Sequence, residues 1–486
     1  MADATLPFTI TGILVGGRWL EPVSGDWLDV HAPAEGQPFA RIAAGGGAEI
    51  DLAIAAARAA LAGEWGGLPA VQRGRLLSAM APTVLAHAGE LAALEARDTG
   101  KPIAQARADV LACARYFEYY GAAADKVCGA TIPFQNGYFA ATERTPHGVT
   151  AHIIPWNYPA QMFPRSLGPA LAMGNAVVLK PAEDACLTPL RLADLMTRNG
   201  FPPGAVNVVT GLGATASAAL AAHPGIDFLS FIGSAETGAA VQAAAATNHV
   251  GCTLELGGKS AQIVFADADL DRVAPAVVAA ITQHAGQTCS AGSRLLVERA
   301  GMERILPRIA EAFRRVRATP PHMDGELGPV VSLRQRARVE EYQALAAADG
   351  LPVIARGRIV AEASPEGWFV EPQMIGPVPR GHRLAREEVF GPVLAVLPFD
   401  DEADAVALAN STPYGLVAGV WTRDGARALR VARRMQVGQV FVNCYGAGGG
   451  IELPFGGVKK SGHGREKGWE ALLAFSTLRT LVIRHD

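Results

Sequence analysis

Residues 149–183 read VTAHIIPWNYPAQMFPRSLGPALAMGNAVVLKPAE. Two short apolar runs, at 149–154 and 176–180, flank a stretch of helical character at 161–172. Apolar runs joined by a helix are typical of parallel strands whose two faces are both covered. Pro164 lies inside the helical stretch, so we expect it to kink the helix or to mark its start. The segment predicts a β–α–β unit in an α/β protein.

The same alternation extends in both directions along the chain. Towards the N-terminus, helical periodicity covers 48–61, and further helical segments are expected within 71–96 and at 109–124. Towards the C-terminus, β-rich runs alternate with helices, and these runs lie at 206–209, 228–232, 253–256, 261–265, 294–298, 393–398, 417–421 and 439–443. A last strand is expected at 475–484, where in isolation it would be an exposed edge.

Composition narrows the class of protein. The chain has 486 residues, which suggests about three domains. Lys plus Arg is 43 and Asp plus Glu is 46, which gives a net charge of −3. Because the chain has no broad positive charge to attract a phosphate backbone, we do not expect nucleic acid as a partner. Hydrophobic residues make up 50% of the chain, enough for a large core and too many for a disordered protein.

The cysteines and the termini bear on compartment and metal content. None of the six cysteines forms a CxxC pair or stands at zinc-finger spacing, so we expect no metal site and no disulfide framework. The first residues lack the pattern of a signal peptide, and no uncharged stretch is long enough to span a membrane. These features predict a cytoplasmic protein without a membrane partner.

Three side chains could carry chemistry, and each has an ordinary structural alternative. Cys289 lies in a loop of small residues (284–294) that leaves its sulfur open to attack a substrate, although a buried structural thiol is equally expected. Glu255 lies at the end of a short apolar strand, where poor solvation suits a general base; a strand-end glutamate facing water is the alternative. Asn157, in a turn stiffened by two prolines, could donate to an oxyanion or satisfy the turn itself.

Two segments suggest a dinucleotide site. Lys180 and Glu183 stand at the C-terminal end of an apolar strand, where they could bind ribose hydroxyls or simply form a surface ion pair. Residues 231–238 read FIGSAETG and join a strand to a helix, with Ser234 as the expected N-cap of a phosphate-binding helix terminus. Residues 211–216 lack the third glycine of GxGxxG, so the standard dinucleotide fingerprint is absent.

Seven segments together strongly resemble the aldehyde dehydrogenase superfamily, from about Val15 to Leu481. In order they are PWNYP (155–159), GPALAMGNAVVLKPAE (168–183), FIGSAETG (231–238), LELGGKS (254–260), GQTCSAGSR (286–294), EEVFGPV (387–393) and PFGGVKKSGHGRE (454–466). The resemblance implies an α/β fold with two parallel-sheet Rossmann-type domains and a small β oligomerisation arm.

The resemblance also implies domain limits and an assembly. An NAD-binding domain would comprise 1–117 and 147–254, a catalytic domain 255–445, an oligomerisation arm 118–146 and 470–486, and a returning segment at the substrate entrance 446–469. The arm implies a homodimer or homotetramer. The five residues 446–450 contain no aromatic side chain, which argues against a cage for a quaternary ammonium aldehyde.

In the family, the matching residues perform an NAD-dependent, hydrolytic aldehyde oxidation. Cys289 would attack the aldehyde carbon, and the Asn157 side chain with the Cys289 backbone N–H would hold the oxyanion. Hydride transfer to the nicotinamide would leave a thioester, which water activated by Glu255 hydrolyses, with Glu466 relaying protons. Glu388 and Phe390 would hold the nicotinamide ribose and ring. The other implied cofactor positions are Ile154, Pro155, Trp156, Lys180, Glu183, Gly213, Gly233, Ser234, Leu256 and Gly257.

Cofactor choice and substrate class rest on single residues. Glu183 should accept bonds from the adenosine 2′-OH and repel a 2′-phosphate, which favours NAD over NADP. Arg165 matches a tunnel position that binds the carboxylate in succinate-semialdehyde dehydrogenases, but their second arginine is replaced here by Gln283. Arg165 is therefore expected either to bind an acidic or hydroxylated aldehyde, aromatic ones included, or to form a structural ion pair. Tyr158, Met162 and Gln283 are the further implied substrate positions.

Two rival functions stay open. A CoA-acylating semialdehyde dehydrogenase would pass the acyl group to CoA, although such enzymes typically lack a glutamate at the position of Glu255. A non-catalytic relative on the same fold would have lost the nucleophile or the base. Both Cys289 and Glu255 are present, as is Asn157, and this favours the hydrolytic enzyme.

Overall fold

The structure, a computed structural model, describes residues 12–446 and 450–486. In chain order its strands are β1 (Ile13–Val15), β2 (Arg18–Leu20), β3 (Trp27–Ala32), β4 (Gln37–Ala43), β5 (Ala130–Ile132), β6 (Tyr138–Pro146), β7 (Val149–Ile154), β8 (Ala176–Pro181), β9 (Val206–Val208), β10 (Phe228–Ile232), β11 (Gly251–Glu255), β12 (Ala261–Val264), β13 (Arg294–Glu298), β14 (Arg317–Ala318), β15 (Val353–Arg356), β16 (Arg358–Ile359), β17 (Gln373–Ile375), β18 (Val393–Phe399), β19 (Val417–Trp421), β20 (Gln439–Val442), β21 (Gly462–His463) and β22 (Ser476–Arg484).

Helices cover and connect these strands. In chain order they are α1 (Gly47–Ala62), α2 (Glu64–Gly67), α3 (Ala70–Ala86), α4 (Ala88–Thr99), α5 (Ile103–Ala123), α6 (Pro159–Ala172), α7 (Leu187–Arg198), α8 (Ala218–Ala222), α9 (Ala235–Ala246), α10 (Leu270–Thr282), α11 (Met302–Arg314), α12 (Leu333–Ala348), α13 (Arg383–Arg386), α14 (Glu402–Asn410), α15 (Gly425–Arg434) and α16 (Gly468–Ala474). Within the described ranges no single helix is long and apolar enough to cross a membrane. The helices α3 and α4, which are bent by 77° relative to each other, pass the same test as a pair, but on length and composition alone.

The predicted β–α–β unit lies at the centre of the first sheet. That sheet has the order β2-β1-β9-β8-β7-β10-β11-β21. Its five central strands, β9, β8, β7, β10 and β11, run parallel to one another. Helix α6 begins at Pro159, in its first turn, and continues through Pro164. The expectation that Pro164 marks the start of the helix is therefore wrong. Proline is favoured in the first turn of a helix, as at Pro159. Pro164 lacks the N–H that would donate within the helix, and the buried packing of α6 compensates for that loss.

A second parallel sheet forms from the following part of the chain. Its order is β15-β17-β18-β13-β12-β19-β20, with only the edge strand β15 antiparallel. Each sheet has its own hydrophobic core, the first built from residues between 13 and 256 with a few from 451–475, and the second from residues between 261 and 435. The α/β class with two parallel sheets, predicted from the sequence, is confirmed.

A third, antiparallel sheet joins two segments that are distant in sequence. Strand β22 pairs with β6 along nine residues, from Ser476 opposite Pro146 to Arg484 opposite Tyr138, and β6 also pairs with β5. The strand expected at 475–484 is confirmed. Its apolar side chains are largely exposed; those of Leu478, Val482 and Ile483 are 55%, 51% and 47% accessible.

The topology brings several loops to one edge of the first sheet. The carboxyl ends of parallel strands β8, β7, β10 and β11 lie there, and such an edge is where open α/β sheets bind ligands. Strand β21 pairs antiparallel with β11, placing Gly462 opposite Glu255. The chain after β20 thus returns to the end of β11. Residues 447–449 of the expected entrance loop lie outside the described residues.

Candidate active site

The nucleophile candidate lies in a tight loop before β13. Cys289 is half-buried, and the Ala291 N–H donates to Thr288 O at 2.9 Å to close the turn around it. A Cβ on Gly258 would lie 2.7 Å from Cys289 O, so the Gly-Gly turn after β11 packs directly beneath this loop. Burial raises the pKa of the Cys289 thiol to about 12; Arg165 opposes the shift.

The turn after β7 is fastened to this loop by two hydrogen bonds. Asn157 is buried, and its Nδ2 donates to Gln287 O at 2.9 Å. The Tyr158 hydroxyl lies 2.7 Å from Thr288 Oγ1. One N–H of the Asn157 amide is used in this way, and the second is left as a candidate donor to an oxyanion. The structure thus brings Asn157 and the cysteine loop together.

A buried charge cluster supports the Asn157 turn from below. Lys101 is fully buried, and its Nζ donates to Glu95 Oε1 at 2.9 Å, Asp109 Oδ2 at 2.5 Å and the backbone O of Asn157 at 3.0 Å. The other oxygen of Glu95 accepts from the Ala160 N–H at 3.2 Å. These contacts fix the backbone from which the Asn157 amide projects.

The base candidate ends strand β11. Glu255 is 3% exposed, and neither carboxylate oxygen has a hydrogen-bond partner among the described residues. A Cβ on Gly456 would lie 2.6 Å from Glu255 Oε1, so the returning segment packs against this carboxylate. Burial, and then the negative charge of Glu466, raise the pKa of Glu255 well above its usual value. A poorly solvated carboxyl of this kind suits general-base chemistry near neutral pH.

Arg165 and Glu466 form a buried ion pair beside this group. Arg165 Nε lies 2.5 Å from Glu466 Oε2, a charge contact without the alignment of a hydrogen bond. The second oxygen of Glu466 accepts from Ser230 Oγ at 3.3 Å. The guanidinium carbon of Arg165 lies 4.5 Å from the ring centroid of Phe455.

The expected ribose pair lies at the end of β8. Lys180 Nζ donates to Glu183 Oε2 at 2.6 Å, and Glu183 Oε1 accepts from the Gly213 N–H at 3.1 Å. Burial raises the pKa of Glu183, but the charge of Lys180 and these hydrogen bonds outweigh it, and the net shift is downward. After β10 and Gly233, Ser234 caps the twelve-residue helix α9 by accepting from the Thr237 N–H at 3.1 Å. The free N–H groups of such a terminus suit a phosphate.

A second group of expected cofactor residues surrounds the Gly-Gly turn. Glu388 Oε1 accepts from the Gly258 N–H at 2.8 Å, and burial raises the pKa of Glu388 to about 7. A Cβ on Gly257 would collide with the Glu388 carboxylate. The ring of Phe390 meets that of Trp156 edge to face, with centroids 5.4 Å apart.

The remaining expected residues, at cofactor and substrate positions, differ in how deeply they are buried. Ile154, at the end of β7, and Leu256, after β11, are buried, whereas Pro155 between β7 and the Asn157 turn is half-buried. Met162 is buried on α6, one turn before Arg165. Gln283 is exposed at the end of α10.

Comparisons with known proteins agree with this geometry. The model of the aldehyde dehydrogenase family matches residues 19–481. The chain belongs to the aldehyde dehydrogenase family. It is 39% identical to human retinal dehydrogenase 2 over 99% of this chain and 93% of that protein. The family confirms the resemblance drawn from the seven sequence segments and makes the protein an oxidoreductase that acts on aldehydes.

Two solved structures superpose closely on this chain. A Burkholderia cenocepacia protein assigned to this class of enzyme is 57% identical, with a TM-score of 0.97, covering 98% of this chain and 100% of that one. PnpE, from Pseudomonas sp. WBC-3, was solved in complex with nicotinamide adenine dinucleotide; it is 40% identical, with a TM-score of 0.95 and 98% of each chain covered.

Several residues of this aldehyde dehydrogenase site were not predicted. The cluster of Lys101, Glu95 and Asp109 has no recognisable sequence motif, because its members meet only through the packing of α4, α5 and the Asn157 turn. Phe455 lies inside a quoted motif, yet nothing in the sequence indicated its contact with Arg165. Lys467 directly follows that motif, and a lysine next to the buried Glu466 was a signal that could have been used. Tyr445, whose hydroxyl donates to Ser290 O at 2.6 Å, directly precedes the glycine loop.

Proposed function

We propose that this protein oxidises an aldehyde to its carboxylic acid through a thioester on Cys289 that water then hydrolyses, with NAD as the cofactor. The observation that carries the proposal is the convergence of three groups on one place. The Asn157 turn is bonded to the Cys289 loop, the Gly-Gly turn packs beneath that loop, and Glu255 ends the strand leading into that turn.

The proposed chemistry divides among these side chains. The Cys289 sulfur attacks the aldehyde carbon, and the free N–H of the Asn157 amide, with the Cys289 backbone N–H, stabilises the resulting oxyanion. Glu255 takes a proton from the water that attacks the thioester, and its raised pKa suits it to hold that proton. Glu466 relays the proton onward from Glu255.

The cofactor residues fit a nicotinamide dinucleotide. Lys180 and Glu183 are held together at the end of β8, where the carboxylate can accept bonds from both ribose hydroxyls. The α9 terminus provides for the phosphates, and Glu388 with Phe390 for the nicotinamide ribose and ring. When bound, NAD supplies the electron acceptor of the oxidation. Negative charge at Glu183 favours NAD over NADP, and the NAD-bound PnpE structure supports this choice.

The proposed substrate is an acidic or hydroxylated aldehyde, aromatic ones included. Arg165 supports this class because a buried guanidinium lies over Phe455, which itself packs in a cluster with Cys289. The ion pair with Glu466 fits the structural alternative equally, so the substrate test must compare charged and neutral aldehydes. Tyr158, Met162 and Gln283 are the further positions that we propose for substrate contact.

The experiment measures NADH formation over a panel of neutral, acidic and aromatic aldehydes, with Cys289→Ala as the control. We expect turnover by the wild type and none by the variant. Absence of turnover on every aldehyde would favour the non-catalytic relative. Product analysis with and without CoA separates the hydrolytic enzyme from a CoA-acylating one: free acid is expected in both cases, and an acyl-CoA would overturn the proposal.

The family also supports proposals on organisation. We propose the domain limits given by the resemblance: 1–117 with 147–254 for NAD, 255–445 for catalysis, 118–146 with 470–486 for oligomerisation and 446–469 for the substrate entrance. A homodimer or homotetramer in the cytoplasm is the proposed working form. The exposed apolar side chains of β22 support the assembly.

A further inference from the structure

Polar side chains line one face of the buried strands β7 and β10. Thr150 and His152 stand two residues apart on β7, and Ser230 lies directly opposite His152 on β10. Side chains at this spacing point to the same face of a sheet, so the three groups lie side by side. Each of them is at most 1% exposed. Polar groups buried this deeply need hydrogen-bond partners inside the protein.

A continuous series of contacts joins these groups to the carboxylate of Glu466. Thr150 Oγ1 lies 2.8 Å from His152 Nε2, and His152 Nδ1 lies 2.7 Å from Oγ of Ser166 on helix α6. Ser166 Oγ lies 3.4 Å from Ser230 Oγ, which lies 3.3 Å from Glu466 Oε1. The contacts at the imidazole are short, and the two nearest the carboxylate are long. We call four of these buried side chains the His152 chain: Thr150, His152, Ser166 and Ser230.

The number of available protons fixes the direction of this chain. Burial lowers the pKa of His152 to about 3, so its imidazole is neutral and carries one N–H. The Ser230 hydroxyl donates to the Glu466 carboxylate, and Ser166 donates to Ser230. Because the Ser166 proton is used, His152 Nδ1–H donates to Ser166, and Nε2 accepts from Thr150. The opposite tautomer would leave the contact between the two serines without a proton. All four protons therefore point towards Glu466.

Glu466 lies between this chain and the reacting groups. Its other oxygen, Oε2, lies 2.5 Å from Arg165 Nε, and the residue is 1% exposed. Its negative charge contributes to the raised pKa of Glu255. A carboxylate buried this deeply depends on the groups that donate to it for its charge and its orientation. The chain ends at Thr150, which is fully buried, so it holds Glu466 in place and does not lead a proton out to solvent.

We propose that the His152 chain positions Glu466 for hydrolysis of the thioester, with Ser230 as the member that acts on Glu466 directly. This inference rests on the proposed function. The four side chains are positioning residues, because they act through Glu466 on Glu255, the base of that step. Since Glu255 is proposed to act on the water that attacks the thioester, the effect of the chain should fall on hydrolysis and not on thioester formation.

The test measures the two steps separately in single turnovers, with NAD and protein in excess over the aldehyde. The aldehyde is whichever of propanal, benzaldehyde and succinate semialdehyde the wild type oxidises fastest. The rise of NADH in a stopped-flow instrument gives the rate of thioester formation. Mass spectrometry of the acid-quenched protein detects the acyl group, and the decay of that signal gives the rate of hydrolysis.

Ser230→Ala removes the hydroxyl that contacts Glu466. We expect hydrolysis to slow about threefold or more, because the lost hydrogen bond is long but its acceptor is charged, while thioester formation keeps its rate. Ser230→Thr retains a hydroxyl and should restore the rate of hydrolysis. Ser476→Ala removes a buried hydroxyl that donates to Leu472 O at 3.1 Å, and it should keep both wild-type rates.

A second pair of variants tests the chain at its imidazole. His152→Asn places an amide N–H at the position of Nδ1–H, where it can still donate to Ser166. His152→Gln carries its amide one bond further out, towards Thr150, and leaves Ser166 without that donor. We expect hydrolysis to be slower in His152→Gln than in His152→Asn. Equal rates of hydrolysis in these two variants would overturn the inference.

The pH profile of hydrolysis is a readout that a purely structural role would not move. In Ser230→Ala, Glu466 loses a donor to its negative charge and repels a charge on Glu255 less, so the midpoint of the profile should move to lower pH. The charged and titratable groups that face these two carboxylates are Arg165, Arg465, Lys467, Tyr116, Tyr120 and Cys289.

Two results with Ser230→Ala would overturn the inference: an unchanged rate and midpoint of hydrolysis, or equal slowing of both steps. Failure of the proposed function is a different result, namely wild-type protein that forms no NADH from any of the three aldehydes or never carries an acyl group. That result would remove the inference together with the function on which it rests.

Discussion

Arg165 Nε lies 2.5 Å from Glu466 Oε2, and both side chains are more than nine-tenths buried. The pair joins helix α6 to the returning segment. Because α6 begins directly after the Asn157 turn and Glu466 is bonded to Phe455, the pair connects the turn that carries Asn157 to the Phe455 ring, against which Cys289 packs. We therefore expect this one ion pair to affect both the stability of the fold and the geometry around Cys289.

The first prediction concerns the stability of this pair. Arg165→Met leaves the buried Glu466 carboxylate without its cation, a change that costs about 3–5 kcal/mol when a buried pair is broken. We expect the melting temperature to fall by several degrees. In the double variant Arg165→Met/Glu466→Gln the fall should be smaller than the sum of the two single falls. Strict additivity in differential scanning fluorimetry would show that the two groups do not interact.

The sequence was sufficient for features that repeat or cluster locally. Periodic apolar runs predicted β7, α6 and β8, and a loop of small residues marked Cys289. Contacts between distant segments had no local signal, as in the Lys101 bond to the backbone of Asn157. At Pro164, local propensity predicted either a kink or a helix start, and the structure contradicts the helix start because α6 continues through this residue.

The second prediction concerns the reactivity of Cys289 without cofactor. Its thiol has a pKa of about 12, chiefly because burial disfavours the thiolate, so only about one molecule in ten thousand is ionised at pH 8. Inactivation by iodoacetamide should therefore accelerate about tenfold per pH unit from pH 7 to pH 10. If the inactivation rate reached a plateau below pH 9, that result would contradict the raised pKa of Cys289.

Peptide mapping is the control for this labelling. Cys128 and Cys444 are exposed and will also react, so the modified residue has to be identified. In Cys289→Ala the same exposed cysteines should be labelled while the Cys289 peptide signal disappears.

The third prediction concerns Glu255. In Glu255→Gln the thioester should form but hydrolyse about 10²–10⁴-fold more slowly, the usual contribution of a general base. Stopped-flow measurements should then show a burst of NADH close to one per active site, followed by a slow steady state. In the wild type, hydrolysis should speed up as the pH rises through the raised pKa of Glu255, because only the carboxylate can accept a proton. Loss of the burst would place Glu255 before thioester formation.

The fourth prediction concerns cofactor choice. Glu183→Ala removes the carboxylate that would face a 2′-phosphate and releases Lys180 from its 2.6 Å ion pair. We expect the ratio of kcat/KM for NADP to that for NAD to rise at least tenfold. Glu236→Ala, which removes an exposed carboxylate from the first turn of α9, should leave that ratio unchanged. A wild-type preference for NADP would contradict the assignment of Glu183.

The fifth prediction concerns the exposed sheet formed by β5, β6 and β22. Val482 is 51% exposed on an edge strand, and such a combination of apolar surface and unpaired backbone favours pairing with a second copy. Light scattering after size exclusion should give the wild type at least twice the 50.7 kDa chain mass. Val482→Asp should shift the protein towards the monomer, because a buried unpaired carboxylate opposes the contact. Leu429→Asp introduces the same charge at a residue 53% exposed on α15 and should keep the wild-type mass, so equal dissociation by both variants would argue against β22 as the interface.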